Sequence, residues 1–178
     1  MSTEAAASSI AFTALEQLRY ARDILRLESE TVAKVAQRLD ATFCLAVEYL
    51  YQCSGSVIVT GMGKAGQVGQ KISATLASTG TRSHWLHPAE AMHGDLGRIN
   101  SQDVVLILSQ SGETEEVVRL LPWLKDLAVP IVAVTAEAES TVGRAANVAV
   151  ALGPMEEACR LGLAPSTSTS IEKSKRHR

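Results

Sequence analysis

The sequence predicts an α/β fold in which a parallel β-sheet carries helices on both faces and is preceded by two helices. Three observations predict it. Short β-branched runs alternate with helix-length segments between residues 57 and 151, the rhythm of repeated βαβ units. One run, Val104-Val105-Leu106-Ile107-Leu108, is apolar at every position, as a strand buried on both faces requires. The first fifty residues instead repeat apolar side chains at spacings of three and four, without internal Gly or Pro.

A first helix is predicted around residues 12–27, where Leu18, Ala21 and Leu25 share one stripe. A second is predicted where Val32, Val35, Leu39, Phe43, Ala46 and Leu50 keep the same spacing. Val57-Ile58-Val59-Thr60 is the first strand, followed by glycines and a helix ending near Ser78. Residues 83–86 make a weaker strand, and residues 104–108 the buried one. Val117, Leu120, Leu121 and Leu124 then mark a helix that Pro122 should kink. A strand over 131–134, a short helix over 140–146 and a strand over 148–151 complete the alternation. No repeat or low-complexity linker divides the chain. The expected organisation is N-terminal helices over 1–54, one α/β domain over 55–169 and a charged tail over 170–178.

A chain of 178 residues with 46% apolar content can bury a core without disulfides or metal clips. A formal charge of −2 leaves no electrostatic footprint for nucleic acid. The basic run Lys173-Ser174-Lys175-Arg176-His177-Arg178 reads as a solvated tail. Cys44, Cys53 and Cys159 are irregularly spaced and odd in number, which suits reduced thiols rather than a disulfide framework. No apolar run approaches the roughly 18 residues of a membrane span, and no basic-then-apolar leader opens the chain. The expectation is a cytoplasmic protein with no nucleic-acid or membrane partner.

In open parallel sheets, ligands sit beyond the carboxyl ends of the strands. The first strand ends in Thr60-Gly61-Met62-Gly63-Lys64-Ala65-Gly66, glycines that let a backbone approach a ligand at a helix N-terminus. Gly61, Gly63 and Gly66 fit the dinucleotide pattern, yet the expected acid about 20 residues on is missing; the region holds Arg82, Ser83, His84 and Trp85. A tight strand–helix turn is the plain alternative. The third strand ends in Ser109-Gln110-Ser111-Gly112-Glu113-Thr114, where three hydroxyls and an amide crowd a glycine turn. A simple helix cap needs one hydroxyl. Three hydroxyls with backbone N–H groups make a phosphate cradle.

Between these lies His87-Pro88-Ala89-Glu90-Ala91-Met92-His93-Gly94-Asp95-Leu96-Gly97. His87 and His93, six apart across a proline, fit no standard zinc spacing, so no metal is expected. A polar active-site loop with a histidine for proton transfer suits the segment better. Glu157, in Glu156-Glu157-Ala158-Cys159, reads by itself as a solvated acid as readily as a functional one.

Together these segments resemble the SIS (sugar isomerase) domain. They are most similar to the D-arabinose-5-phosphate isomerases of bacterial lipopolysaccharide and capsule synthesis. The similarity runs from about residue 56 to residue 169. It rests on Gly61-Met62-Gly63-Lys64, Leu76-Ala77-Ser78-Thr79-Gly80-Thr81, His87-Pro88-Ala89-Glu90-Ala91, His93-Gly94-Asp95-Leu96-Gly97 and Glu157-Ala158-Cys159 with Leu161-Gly162-Leu163-Ala164-Pro165. The resemblance implies a flavodoxin-like three-layer αβα sandwich with a five-stranded parallel sheet, in a homo-oligomer. It implies interconversion of D-ribulose 5-phosphate and D-arabinose 5-phosphate without an organic cofactor. Lys64, Glu116 and Glu157 match catalytic positions. Gly80, Thr81 and His93 match substrate contacts, His93 being placed to assist proton transfer. His87 matches a histidine that binds zinc in some members. Gly63, Ser109, Gln110, Ser111 and Thr114 complete the expected substrate site. A related hexulose- or heptulose-phosphate isomerase and a non-catalytic sugar-phosphate sensor are the alternatives.

The chain departs from the family pattern in three places. Ala65 stands where a serine is usual, removing one hydroxyl near the phosphate. Paired CBS domains do not follow. After Ser170 comes Ile171-Glu172-Lys173-Ser174-Lys175-Arg176-His177-Arg178 in place of a long apolar helix and a further histidine-bearing segment. The expectation from this last departure is a marginally stable, association-prone protein with reduced turnover.

Overall fold

The computed structural model describes residues 13–155. Helix α1 (Ala14–Arg38) starts at Thr13, whose hydroxyl accepts the Glu16 N–H while the Glu16 carboxylate accepts the Thr13 N–H, a capping box read directly from Thr-x-x-Glu. Helix α2 (Ala41–Tyr51) starts at Asp40, whose carboxylate accepts the Thr42 N–H at 2.8 Å. This boundary corrects the expected one. The chain does not break near residue 27; α1 continues to Arg38, and the apolar stripe expected on one helix is divided by an extended Leu39 and the Asp40 cap. Val32 and Val35 reach the core from α1, and Phe43, Ala46 and Leu50 reach it from α2.

The sheet comprises β1 (Val57–Gly61), β2 (Ser83–Leu86), β3 (Val104–Leu108), β4 (Ile131–Thr135) and β5 (Val148–Ala151). All pairings are parallel, in the order β2-β1-β3-β4-β5. Alternate side chains divide the core into two halves. Val57, Val59, Leu106, Val132 and Val150 face α2 and helix α3 (Gly63–Ser78), and Ile58, Val105, Ile107, Ile131 and Ala133 face the other way. That second layer contains α4 (Pro88–Met92), α5 (Glu115–Val118), α6 (Leu121–Asp126) and α7 (Thr141–Ala145). The expected kink at Pro122 is a full break, because proline in the first turn of α6 starts a new helix after Val118. The segment expected as a polar loop also holds helix α4, with His87 as its cap and Pro88 at its start.

Two contacts set the position of β1. A Cβ on Gly66 would lie 2.8 Å from the Gly61 carbonyl, and one on Gly69 would lie 2.6 Å from the Trp85 ring. Both glycines therefore let α3 pack directly on β1 and β2. At the opposite edge, Asp103 is buried, and its carboxylate accepts N–H groups from Ser56 at 2.7 Å and Asn100 at 2.8 Å. It ties the entry to β1 to the entry to β3. No helix among the described residues is long and apolar enough to cross a membrane.

Asp103→Ala should strand two backbone donors and lower the unfolding free energy by about 2–4 kcal/mol. Exposed Asp126→Ala should stay within about 0.5 kcal/mol of the parent in the same urea titration. Equal midpoints for the two variants would remove the tie from the account. His84, on β2, gives a pH signature. Burial, then the nearby Arg98 charge, hold its pKa below the ordinary value, against a smaller opposing pull from Asp103. Folded His84 thus resists protonation more than the unfolded chain does. Its contribution is complete above the ordinary histidine pKa of about 6.5 and is lost as pH falls through the lower folded value. Melting curves across that window should show a slope that His84→Gln flattens.

Candidate functional site

Strands β1 and β3 are neighbours, with Gly61 opposite Leu108 at their carboxyl ends. Their following helices leave to opposite faces of the sheet, which opens a crevice at this switch point. The segment after β1 turns through Met62 and Gly63 into α3. Gly63 has φ +55°, and nothing lies within 4 Å of where its Cβ would be, so the turn needs glycine and the space beside it is open. Met62 offers no capping side chain, and among the described residues no side chain caps the start of this 16-residue helix. Lys64 is exposed in that first turn.

The segment after β3 is closely bonded. Gly112 has φ +65°, and its N–H donates to the Ser109 hydroxyl at 3.2 Å. Ser109 Oγ lies 3.2 Å from Thr114 Oγ1, and the Ser111 hydroxyl accepts the Glu113 N–H at 3.1 Å. Thr114 occupies the cap position of α5 without capping it. Ordinary helix capping therefore does not account for the three hydroxyls. Ser109 is buried and braces the loop from within, whereas Ser111 is exposed and Thr114 half-buried.

Two further atoms sit at this junction. Thr60 Oγ1, at the end of β1, and Gln110 Oε1, just beyond β3, are buried and lack hydrogen-bond partners among the described residues. A buried polar atom left unpaired costs about 1–3 kcal/mol. The junction thus holds hydrogen-bonding capacity that the described chain does not fill.

The remaining sequence-predicted residues are distributed unevenly. Leu86 pairs with Thr60, so His87 stands at the same carboxyl edge as Lys64. His87 Nδ1 accepts the Ala89 N–H at 3.2 Å, and its ring meets Trp85 edge-on at 6.5 Å between centroids. Its Nδ1 is therefore engaged in capping α4. Among the described residues no three His, Cys, Asp or Glu side chains gather as a metal site would require. His93 is exposed at the end of α4, and Glu116 is half-buried in α5. Gly80 and Thr81 are not brought to this edge. They lie between α3 and β2, where Ser83 pairs with the first residue of β1. The length of β1, about 13 Å at 3.3 Å per residue, separates them from the crevice. Glu157 lies outside the described residues, as do residues 170–178 and the expectation attached to them.

Sequence reasoning missed the residues that hold the crevice in shape. Thr135 at the end of β4 donates to the Gln110 carbonyl at 3.3 Å, and the Ala136 N–H donates to the same oxygen at 2.9 Å. Glu113, to which the sequence assigned no role, accepts the Thr141 N–H at 2.6 Å. A hydroxyl at a strand's carboxyl end, next to the third strand, is the signal that could have marked Thr135.

Comparison with known proteins agrees with this geometry. Residues 49–172 match the SIS domain family. The chain is 47% identical over 149 residues to arabinose 5-phosphate isomerase KdsD of Escherichia coli strain K12. It is 46% identical over 157 residues to the Pseudomonas aeruginosa protein of the same name. These alignments cover 84% and 88% of this chain but 45% and 48% of those proteins, so the chain spans less than half their length. A solved structure of Escherichia coli CFT073 c3406 in complex with A5P superposes with a TM-score of 0.88 at 33% identity. That superposition covers 92% of this chain and 87% of the other. The NanR protein of Vibrio vulnificus, solved with ManNAc-6P, shares the fold with a TM-score of 0.69 at 16% identity, covering 88% of this chain and 57% of the other. The flavodoxin-like strand order, the crevice at the β1/β3 junction and the match over residues 49–172 agree: the chain belongs to the SIS domain family.

Proposed function

We propose that the chain is an aldose–ketose isomerase interconverting D-ribulose 5-phosphate and D-arabinose 5-phosphate. The observation that carries this reading is the hydroxyl-lined, glycine-turned loop of residues 109–114 at the switch point, beside the uncapped start of α3. The identity to the KdsD isomerases supports the choice of substrate. The phosphate is assigned to Ser111, Thr114 and nearby backbone N–H groups, with Ser109 and Gln110 shaping the loop. Gly63 gives the sugar backbone room to approach.

Isomerisation removes a proton from C1 of the ketose, passes through a 1,2-enediolate, and returns a proton to C2 to leave the aldehyde at C1. A carboxylate serves as base, and we assign Glu116, with Glu157 as the second carboxylate. Lys64 stabilises the oxygen charge of the enediolate, and His93 moves the hydroxyl protons. Gly80 and Thr81, at the amino edge, can serve this substrate only from a second copy of the chain. The proposal therefore includes a homo-oligomer. Free Cys44 and Cys53 suit a reducing, cytoplasmic compartment.

Two measurements test the reading. D-Arabinose 5-phosphate should raise the melting temperature, whereas unphosphorylated arabinose should not. Ser111→Ala should weaken phosphate-ester binding by about 1.5–3 kcal/mol, the range of a hydrogen bond to a charged group. Equal stabilisation by the free sugar would refute the phosphate assignment. In a coupled isomerase assay, Lys64→Ala and Glu116→Gln should each lower kcat by about two to three orders of magnitude while leaving binding close to the parent's. Full turnover by Glu116→Gln would remove that carboxylate from the mechanism.

A further inference from the structure

The loop proposed to receive phosphate is held from outside as well as from within. Its inner bonds, Gly112 to Ser109 and Glu113 to Ser111, close the turn, but the turn is attached to the molecule from one side. On that side the Ser109 N–H donates to the Val134 carbonyl of β4 at 3.1 Å, and the end of β4 and the start of α7 supply four further anchors. Thr135 Oγ1 and the Ala136 N–H both donate to the Gln110 carbonyl, at 3.3 and 2.9 Å. The Val142 N–H donates to the Gly112 carbonyl at 3.0 Å, and the Thr141 N–H donates to a Glu113 carboxylate oxygen at 2.6 Å. Ser140 closes the contact sterically. A Cβ on Gly112 would come within 2.0 Å of its hydroxyl, which is already engaged with the Glu137 carbonyl and the Gly143 N–H.

Three of these anchors attach to the loop's backbone. The fourth uses the Glu113 side chain, an anionic group within the turn that is proposed to receive an anion. By charge alone, a carboxylate there repels phosphate. Bonded to Thr141, it is drawn toward α7, and it fixes the residue whose N–H orients the Ser111 hydroxyl. The hydrogen bond from the Thr141 N–H also holds the carboxyl pKa below its usual value. We propose that Glu113 is a positioning residue: its carboxylate clamps the phosphate-binding turn to α7 and presents Ser111 and the turn's N–H groups in a fixed array. This rests on the sugar-phosphate reading above.

The proposal and plain electrostatics predict opposite signs. Glu113→Ala removes the clamp and a negative charge together, whereas Glu113→Gln removes the charge and keeps an acceptor for Thr141. Glu115→Ala removes a like charge two residues away, one that pairs with Arg119 and takes no part in the clamp. Calorimetric affinity for D-arabinose 5-phosphate would be measured for all three against the parent. Clamping predicts a loss of roughly five- to twentyfold in Glu113→Ala, consistent with one lost hydrogen bond. It also predicts near-parental binding by Glu113→Gln and by Glu115→Ala. Tighter binding by both Glu113 variants would overturn the proposal in favour of simple repulsion. Amide hydrogen exchange without ligand gives a separate readout. Exchange at Gly112, Glu113 and Val142 should quicken in Glu113→Ala and not in Glu113→Gln, with strand amides of β1 and β3 unchanged. Unchanged exchange at the turn would refute the clamp. If the parent fails to bind D-arabinose 5-phosphate, the sugar-phosphate reading fails and the positioning role falls with it, while the exchange data alone decide whether the turn is clamped.

Discussion

The pairing of β1 with β3, carboxyl end beside carboxyl end, is the constraint on which the rest of the molecule depends. Gly61 opposite Leu108 brings two loops side by side that are separated by almost fifty residues of sequence. The helices that follow diverge, α3 to one core and α5 with α6 to the other, because β1 leads outward to β2 while β3 leads the opposite way to β4, and right-handed crossovers in opposite directions place their helices on opposite faces. Every feature of the candidate site follows from that divergence. Asp103 secures the same pair of strands at their entry by gathering the Ser56 and Asn100 donors, which keeps the register from slipping.

The glycines near β1 divide into two kinds of work. Gly63 makes a turn that other residues reach only with strain, and leaves space on its outer side. Gly66 and Gly69 remove the bulk that would hold α3 away from Gly61 and Trp85. The Gly-x-Gly-x-x-Gly spacing that suggested a nucleotide thus has a packing explanation, and β2 runs into His87 rather than an acid. Because α3 sits this close, the position of Lys64 is set by backbone contact with the sheet.

Most of the sheet was legible in the sequence because buried parallel strands are written as short apolar runs, and Val104–Leu108 and Ile131–Thr135 each occupy such a run. The glycine turn after β3 was legible as well, since its hydroxyls stand next to one another in the chain. The division at Leu39 and Asp40 was not. A stripe that keeps its spacing across a cap gives no sign of a break, and Asp40 alone competes with an unbroken pattern. The attachment of Glu113 to Thr141 joins residues 28 apart and depends on β4 lying beside β3. Similarly, the location of Gly80 and Thr81 at the far edge follows from the direction of β2, which no local motif records.

The turn after β3 contains no lysine or arginine, only short hydroxyl side chains, an amide, a carboxylate turned toward α7, and backbone. Ordering a long basic side chain around an anion sacrifices up to about 2 kcal/mol of rotational freedom. Serine and threonine have little such freedom to lose, and backbone N–H groups held by β4 and α7 have already lost theirs during folding. A ligand entering this turn would thus meet donors whose conformational entropy is already spent. Its grip would come from geometry more than from charge, a form of attachment that retains its selectivity while letting go readily.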